Sequence, residues 1–476
     1  MRFIYLSLAL LGAAACGNDQ AEPEPIARAT WYQNVAPILA EHCMSCHQDG
    51  GIAPFALTDY DSAVENSERM MHEIGRGAMP PFDAREEADC TPRFSWVDDP
   101  RLNETEKTTL QHWIDDGHAL GTEDVVPDPP DTTLANISKT VTPVEGWATS
   151  GDRDQFVCYI LDPQTTQLSW LTGLQVNPDN DLVVHHAVIT QIPTGADQDA
   201  LIAQHGIGRP FDCLTTTPGN FVVHIWTPGN QPMQTSDDIA VPVAAGSKLV
   251  MQIHYHPGGQ AHAPDKTSID LRFSTKWPKK MYFVGALGNA FKSPELLPGP
   301  GDVDAPRFLI PKDTKRHTEH MRFTMGDTSI LGDVRIYSAN PHMHLVGTHI
   351  SSTIERGAPR GTDPETECLA NGGWNFDWQR TYSYDTALET LPSVKTGDVV
   401  DIKCEWDNTL DNPFVQRMLN DAGLDKPIDI ALGEQTTNEM CVEIFGLAVN
   451  APPPASAESF VLPNAPKFMQ LVRAPE

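Results

Sequence analysis

The sequence predicts a multidomain fold in which a small all-α domain precedes two tandem antiparallel β-sandwiches of the jelly-roll type. Residues 31–120 place apolar side chains at helical spacing. An acidic, proline-rich linker follows at 121–140. Beyond it, short alternating runs are separated by turn residues, which is typical of strands. This β region is too long for one sandwich and suits two, at 141–285 and 286–476.

Two helices are expected within the all-α domain. The first runs through QNVAPILAEH and stops at Cys43. The second, LNETEKTTLQHWIDDG, begins after an N-cap-like Asn103, carries acidic residues in its first turn and ends at Gly117.

The charge balance excludes several classes of partner. The 476 residues include 33 Lys and Arg against 64 Asp and Glu, a formal net charge of −31. A nucleic-acid-binding protein needs a basic surface, and a protein held on anionic lipid needs a basic patch. We therefore expect no nucleic-acid partner.

The N-terminus carries an export signal. Residues 1–15 combine an early arginine, an apolar stretch and small residues before Cys16. The stretch is too short to span a bilayer and is typical of a signal peptide. The small residues resemble a lipobox, so we predict a lipid anchor at Cys16, with ordinary cleavage as the alternative, and a tether over 16–30. The protein is then periplasmic, or anchored to the outer membrane of a Gram-negative-type bacterium, where disulfides can form.

A C-x-x-C-H motif lies in the predicted all-α domain, formed by Cys43, Cys46 and His47. Two thiols at this spacing on a helical turn can form thioethers with haem, and the histidine then ligates the iron. A thioredoxin-like pair would need a βαβ unit, and a zinc site would need a second ligand pair besides Cys90. We predict one covalently bound haem c, and residues 31–120 resemble a c-type cytochrome domain.

The sixth iron ligand is predicted to be Met79, in the irregular, proline-flanked GRGAMPPFDA. Met70, Met71 and His72 compete with it, but RMMHEI has a helical pattern. A His/Met pair raises the potential and leaves no open position for oxygen, so this haem would carry electrons.

The β region concentrates histidines at three places, followed by a methionine. Paired histidines at i, i+2 share one face of a strand, whereas adjacent ones point to opposite faces unless a strand end or bulge intervenes. Thioether and imidazole donors together suit copper, since the thioether prefers Cu(I). The candidate ligands are His185, His186, His254, His342, His344 and Met440.

In their order, the motifs HH, QIHY, H-x-H-L-x-G and E-M-C resemble the copper type II, ascorbate-dependent monooxygenases over 141–476. That family includes peptidylglycine α-hydroxylating and dopamine β-monooxygenases, and its fold is two tandem β-sandwiches with one copper each. The resemblance implies that one copper, an electron store, is held by His185, His186 and His254. It implies that the other, which activates oxygen, is held by His342, His344 and Met440.

Other metal classes fit less well. A cupredoxin needs a cysteine followed closely by histidine and methionine, but no histidine follows His349. A multicopper oxidase needs an H-C-H segment, and a zinc hydrolase of the H-E-x-x-H type needs that motif; neither occurs. His224 and His256 remain open as additional ligands or neighbours of a ligand.

Six cysteines remain as disulfide candidates, and they allow 15 pairings. The resemblance favours Cys404–Cys441, because the family has a disulfide whose second cysteine follows the copper methionine. Cys158 and Cys213 sit where the family has cysteines in its first domain. Cys90 and Cys368 are unassigned.

The function implied is an exported copper-dependent monooxygenase that hydroxylates a C–H bond of a small organic substrate with O2. An external donor, ascorbate-like or a redox protein, supplies electrons, with the fused haem as source or relay. The peptidylglycine enzymes bind a substrate carboxylate through Arg, Asn and Tyr where this chain has Asn340, Val442 and Ile444. A peptide carboxylate is therefore not expected. The alternative is a non-catalytic periplasmic copper-binding or electron-transfer lipoprotein.

Overall fold

The structure, a computed structural model, describes residues 28–453 other than 52, 152, 214–217, 220, 229, 258–260 and 434. The predicted signal peptide, the lipid anchor at Cys16 and most of the tether lie outside the described residues. In the described part, no helix is both long enough and apolar enough to cross a membrane.

The helices and strands are numbered in chain order. The α-helices of the described chain are α1 Ala36–His42, α2 Tyr60–Gly75, α3 Glu104–Asp115, α4 Ala196–His205 and α5 Pro413–Ala422. Single turns of π-helix or 3₁₀-helix form at Trp31–Val35, Ser329–Leu331 and Leu388–Thr390. The strands up to residue 288 are β1 Lys139–Val141, β2 Gln155–Leu161, β3 Ser169–Asn177, β4 Val184–Ile192, β5 Pro210–Asp212, β6 Phe221–Trp226, β7 Met233–Gln234, β8 Ile239–Val243, β9 Lys248–Tyr255, β10 Ser268–Ser274 and β11 Lys280–Gly288. The later strands are β12 Leu309–Ile310, β13 Lys315–Thr324, β14 Val334–His342, β15 Gly347–Glu355, β16 Thr366–Gly373, β17 Tyr382–Ser383, β18 Ser393–Val394, β19 Val399–Asp407, β20 Ile430–Ala431 and β21 Val442–Asn450.

The predicted fold class, a small all-α cytochrome c-like domain followed by two tandem β-sandwich copper domains, is wrong. The structure is 35% strand and 15% helix and contains no separate all-α cytochrome domain in its described N-terminal part. The chain forms two compact units, and Gly77–Arg101 belongs to the unit that contains Asp131–Glu476. The middle of the expected domain is therefore part of the β unit.

Long-range contacts explain why this segment joins the β unit. Cys90 forms a disulfide with Cys368 in β16. The backbone of Ala84 bridges Gly372, and that of Trp96 bridges Tyr384. Trp96 also stacks on Tyr384, with ring centroids 4.9 Å apart. The sequence of residues 77–101 has no helical pattern of apolar residues, so no helix forms in place of these contacts.

The helical unit is built around α1, α2 and α3. Trp31, Leu39 and Trp113 are fully buried there, and the two indole centroids lie 6.1 Å apart. Asn103 caps α3: its side chain accepts the backbone N–H of Glu106, whose carboxylate accepts that of Asn103. This reciprocal capping box fixes the start of the helix where the sequence predicts it.

The β unit contains four sheets. The largest has ten strands, with the order β1-β10-β3-β8-β11-β21-β14-β17, and β7 and β18 pair with β3 and β14. The others have the orders β5-β2-β9-β4-β6, β13-β19-β15-β16 and β12-β20. β8 pairs with β11 in parallel, and β11 pairs with β21, so strands from both predicted sandwiches share one sheet. The expected boundary after residue 285 lies inside β11.

Two hydrophobic cores fill the spaces between these sheets. In one, Ile253 from the five-stranded sheet and Leu171 from the ten-stranded sheet are both fully buried. In the other, Ile402 from the four-stranded sheet joins Ile336 from the ten-stranded sheet. Each core buries one face of each sheet, which is the driving force for stacking them.

Three disulfides form in the described chain: Cys90–Cys368, Cys158–Cys213 and Cys404–Cys441. The Cys404–Cys441 pairing implied by the family resemblance is confirmed. Structural disulfides persist in oxidising compartments, so the protein functions in an oxidising, extracytoplasmic environment.

Candidate metal centre

Three of the predicted ligands come together in the five-stranded sheet. His185 and His186 lie at the start of β4, and His254 lies near the end of β9. The register between β4 and β9 shifts between Val184 and His186, and His186 is directly opposite His254. A shift of this kind is a β-bulge, which re-aims side chains. It explains how two adjacent histidines can face the same point.

The Nδ1 atoms of this three-histidine group converge. The Nδ1 of His186 lies 3.2 Å from the Nδ1 of His185 and 3.2 Å from that of His254. Ligand atoms of all three lie within 4.8 Å of one another. Three imidazole nitrogens at this spacing match the donor set that copper and zinc take in proteins.

Asp154 supports the group from behind. Its Oδ2 lies 2.9 Å from the Nε2 of His254, at ion-pair distance, although the two groups are not aligned as a hydrogen bond. Its Oδ1 accepts from the Nδ1 of His256 at 2.7 Å. The ring of Phe156 stacks on that of His254 with centroids 4.4 Å apart. The carboxylate therefore holds His254 with its Nδ1 towards the other two rings, as second partners of metal-bound histidines do.

The electrostatics favour neutral imidazoles. Burial, together with repulsion from His254, lowers the pKa of His185 to about 3, and burial lowers that of His186 well below its usual value. Burial alone raises the pKa of Asp154, but the adjacent imidazoles of His254 and His256 bring it below its ordinary value. Neutral imidazoles near neutral pH have the lone pairs that a metal ion requires.

A second group forms at the end of β14. His342 is the last residue of that strand, and His344 follows in the loop. Their ring centroids are 5.4 Å apart and the rings are perpendicular. The Nδ1 of His342 donates to the side-chain oxygen of Gln379 at 3.0 Å, and that of His344 donates to the carbonyl of Asn438 at 3.2 Å. With both Nδ1 atoms engaged, Nε2 is the ligating atom that remains on each ring.

Glu439 ties this pair to the predicted methionine ligand. One of its carboxylate oxygens accepts the backbone N–H groups of His344, at 2.9 Å, and of Met440, at 3.1 Å. The other accepts the N–H of Val346, and the indole of Trp406 donates to the first. Glu439 is fully buried. The segments that carry His344 and Met440 thus meet at a single carboxylate.

Burial also lowers the pKa values of the second group. The pKa of His344 falls to about 3 through burial and repulsion from His342, and that of His342 falls through burial although Gln379 opposes it. His344 and Met440 are 5% and 9% exposed. The second group therefore combines two imidazoles with lowered pKa values and the largely buried thioether of Met440, whose segment meets that of His344 at Glu439.

The C-x-x-C-H motif lies in the helical unit, where Cys43 caps α1. The backbone N–H groups of Cys46 and His47 donate to the carbonyl of Cys43, which makes the predicted turn. Cys43 and Cys46 are free thiols, and burial and repulsion from Cys46 raise the pKa of Cys43 to about 12. The Nδ1 of His47 contacts the carbonyl of Phe55 at 3.0 Å. Its Nε2 is left for a metal, so the motif fits a covalent haem.

The other predicted candidates are placed as follows. Met79 belongs to the β unit and His47 to the helical unit. His256 contacts Asp154 and is not among the three converging histidines. His224 lines a cavity of about 140 Å³, and burial lowers its pKa to about 4. Asn340 donates to the hydroxyl of Thr381 at 2.7 Å.

A cavity of about 230 Å³ opens beside the three-histidine group. Its lining includes His185, His256, Phe376 and Gln379. Gln379 also contacts His342, so this cavity borders a ligand of one group and a partner of the other. A molecule of modest size can therefore approach His185 from outside.

Three residues that support the histidine groups have no signature in the sequence. Asp154 lies in a polar loop before β2, and Gln379 in a turn, and neither belongs to a motif. Glu439 stood within E-M-C, but the motif alone gave it no role. Each acts through a contact with a residue distant in sequence, which no local pattern reveals.

Comparison with known proteins adds no family. No protein-family model matches the chain, and no curated protein matches it. Among solved structures, particles derived from infectious bursal virus match with a TM-score of 0.16 and 9% identity, over 70% of this chain and 83% of theirs. A peptide-N(4)-(N-acetyl-β-D-glucosaminyl) asparagine amidase matches with a TM-score of 0.23 and 8% identity, over 61% and 99%. An allantoicase matches with a TM-score of 0.15 and 13% identity, over 56% and 83%. Likeness at this level supports no statement about activity.

Proposed function

We propose that the protein is an exported copper-dependent monooxygenase that hydroxylates a C–H bond of a small organic molecule with O2. The observation that carries the proposal is the convergence of the Nδ1 atoms of His185, His186 and His254 at a β-bulge. Three imidazoles whose nitrogens are aimed at one point gain nothing as hydrophobic packing. A metal ion accounts for their arrangement.

The two groups suit different tasks. The three-histidine group offers imidazole nitrogens only, which serve both Cu(I) and Cu(II), so it fits an electron store. The second group combines Nε2 atoms of His342 and His344 with the thioether of Met440, which favours Cu(I). Copper bound at the second group would supply the activation of O2 for attack on the substrate.

The chain's own residues keep these ligands ready. Asp154 orients His254, and Gln379 and the Asn438 carbonyl hold His342 and His344 in the tautomer that leaves Nε2 free. Glu439 fixes the backbones of His344 and Met440. Burial keeps water from the second group, which protects a reactive centre from side reactions.

The helical unit supplies a place for haem. Cys43 and Cys46 would hold the haem covalently, and His47 would ligate the iron. A haem of this kind carries electrons, so we propose it as source or relay for the copper groups. The external donor is an ascorbate-like reductant or a redox protein.

The substrate is proposed to be neutral or apolar. Asn340, at the position where peptidylglycine enzymes bind a carboxylate through arginine, is instead engaged with Thr381. The net charge of −31 also disfavours an anionic substrate. A lipid anchor at Cys16 and a periplasmic location complete the proposal.

Metal quantitation on the purified, copper-reconstituted protein is the first test. We expect two coppers and one haem per chain in the wild type. His185→Ala and His342→Ala should each lose one copper, and His205→Ala, a histidine stacked on Phe211 outside both groups, should lose none.

Oxygen consumption completes the test. Reduced protein should consume O2 in the presence of a screened panel of neutral substrates, with loss of one C–H bond. Two coppers bound with no oxygen uptake across the panel would favour the copper carrier instead. Full activity in Met440→Ala would contradict the assignment of the oxygen-activating group.

A further inference from the structure

A short turn, residues 376–379, contacts both histidine groups. On one side the ring of Phe376 stacks on that of His185, with centroids 5.1 Å apart and an angle of 22°. On the other side Gln379 accepts from the Nδ1 of His342 at 3.0 Å. Phe376 is 5% exposed and Gln379 8%. The side chains of Phe376 and Gln379 are therefore both largely buried.

The turn is internally braced, so its two ends cannot move independently. The side-chain amide of Gln379 donates to the carbonyl of Phe376 at 3.1 Å. The hydroxyl of Thr227, just after β6, donates to the carbonyl of Gln379. The guanidinium of Arg417 lies 5.3 Å from the centroid of the Phe376 ring and pairs with Asp377 at 2.7 Å. A displacement of Phe376 is thus transmitted to Gln379.

We propose that residues 376–379 position His185 and His342 together, so that a metal ion bound at one group raises the affinity of the other. The inference rests on the proposed function, since it requires metal at both groups. A ligating imidazole loses its rotational freedom. Once a metal fixes His185, Phe376 and Gln379 are ordered with it, and His342 is held with Nε2 free. The second ion then pays less ordering entropy, and the effect must be reciprocal.

The sign of this coupling separates it from simple electrostatics. The two groups are close enough for charge on His342 and His344 to lower the pKa of His186. Two copper cations at that separation repel, which by itself makes binding of the second ion weaker. A positive coupling therefore needs a structural link, and the 376–379 turn is the link that the contacts provide.

The test measures Cu(I) affinity in the full-length protein against a chromophoric chelator under anaerobic conditions. The affinity of the three-histidine group is compared between the wild type and Met440→Ala, in which the second group is disabled but the Gln379 contact is kept. We expect the Cu(I) affinity of the three-histidine group to be at least about fivefold higher in the wild type than in Met440→Ala. The same ratio in a Phe376→Leu background should fall to about one or below.

Matched variants keep the inference falsifiable. Gln379→Leu should abolish the coupling as Phe376→Leu does, and Phe376→Tyr should retain it. Trp277→Leu removes an aromatic ring that packs against Trp170, outside the turn, and should leave the ratio of affinities unchanged. Folding is checked by circular dichroism, and Gln379→Leu replaces Phe376→Leu if the latter does not fold.

A ratio of one or below in the wild type, or a ratio unchanged by both Phe376→Leu and Gln379→Leu, overturns the coupling. These results leave the proposed function intact if two coppers still bind. Fewer than two coppers in the wild type contradicts the proposed function itself, and the coupling falls with it.

Discussion

The carboxylate of Glu439 accepts the backbone N–H of His344 at 2.9 Å, and through the same oxygen it accepts the N–H of the residue that follows it, Met440. We predict that Glu439→Gln disrupts this junction, because an amide nitrogen placed among N–H donors leaves some of them unpaired. The free energy of unfolding should fall by about 2–3 kcal/mol, measured by urea denaturation. Copper at the second group should be lost or weakened. Glu389→Gln, at an exposed carboxylate, should change stability by less than about 0.5 kcal/mol.

Asp154→Asn tests the support behind the three-histidine group. The substitution removes the charge that faces the Nε2 of His254. We expect Cu(I) affinity at this group to weaken by about 10–100-fold, as measured by chelator competition. The second group should keep its affinity. Asp162→Asn removes a carboxylate paired with Lys248 in β9 and should leave the Cu(I) affinities of both groups unchanged. An equal loss of affinity in Asp162→Asn would contradict the role assigned to Asp154.

The Cys404–Cys441 disulfide adjoins Met440, the proposed thioether ligand. Replacing both cysteines with alanine opens a loop with a sequence separation of 37 residues and should cost about 3–4 kcal/mol of unfolding free energy. The Cys158/Cys213 double variant opens a separation of 55 residues and should cost a similar amount. Only the former should also change the spectrum of copper at the second group, recorded by X-ray absorption. If the Cys404/Cys441 variant and the wild type gave the same copper spectrum, the disulfide would have no role in positioning Met440.

Glu443 predicts a pH dependence of stability. Burial raises the pKa of this carboxyl to about 8, above its value in the unfolded chain. Between about pH 4.5 and 8 the unfolded state has released the proton and the native state keeps it. Stability therefore falls as pH rises through this window, by up to about 1.4 kcal/mol per pH unit from this group.

Glu443→Gln removes that contribution. The difference in unfolding free energy between variant and wild type should shift in favour of the variant as pH rises from 5 to 8, as followed by urea denaturation at each pH. A difference that stays constant across this range would show that Glu443 ionises at an ordinary pH.

The C-x-x-C-H motif has a spectroscopic test. A Cys43→Ser/Cys46→Ser double variant should lose the covalently attached haem and its α-band, because no thioether can form. Copper stoichiometry should remain at the proposed two, since both histidine groups lie in the β unit. A persistent α-band in denatured protein would contradict the assignment of these cysteines.

Sequence patterns predicted the local elements better than their assembly. Asn103 caps the start of α3 as expected, and the helix ends at Asp115, two residues before the expected Gly117, because capping depends on neighbours in sequence. The same reasoning treated residues 31–120 as one helical domain. It failed for Gly77–Arg101, because a disulfide to Cys368 and backbone bridges to β16 and its neighbours depend on residues far along the chain.

The two histidine groups likewise combine features that the sequence shows with features that only the fold creates. The histidines were found from their spacing, but a flat strand would have separated His185 from His186. The bulge that brings them together arises from pairing with β9 and leaves no signature within LVVHHAVIT. The roles of three polar residues depend on contacts with histidines distant in sequence, so no local pattern predicts them. These residues are Asp154, Gln379 and Glu439.

The Cys90–Cys368 bridge also changes the covalent topology of the molecule. With a sequence separation of 278 residues, it closes a macrocycle that contains α3, the proline-rich linker and the whole three-histidine group. A single backbone cut at any point between these two cysteines leaves one covalently continuous molecule. An extracellular protease that nicks the exposed linker therefore cannot by itself detach the helical unit from the β unit.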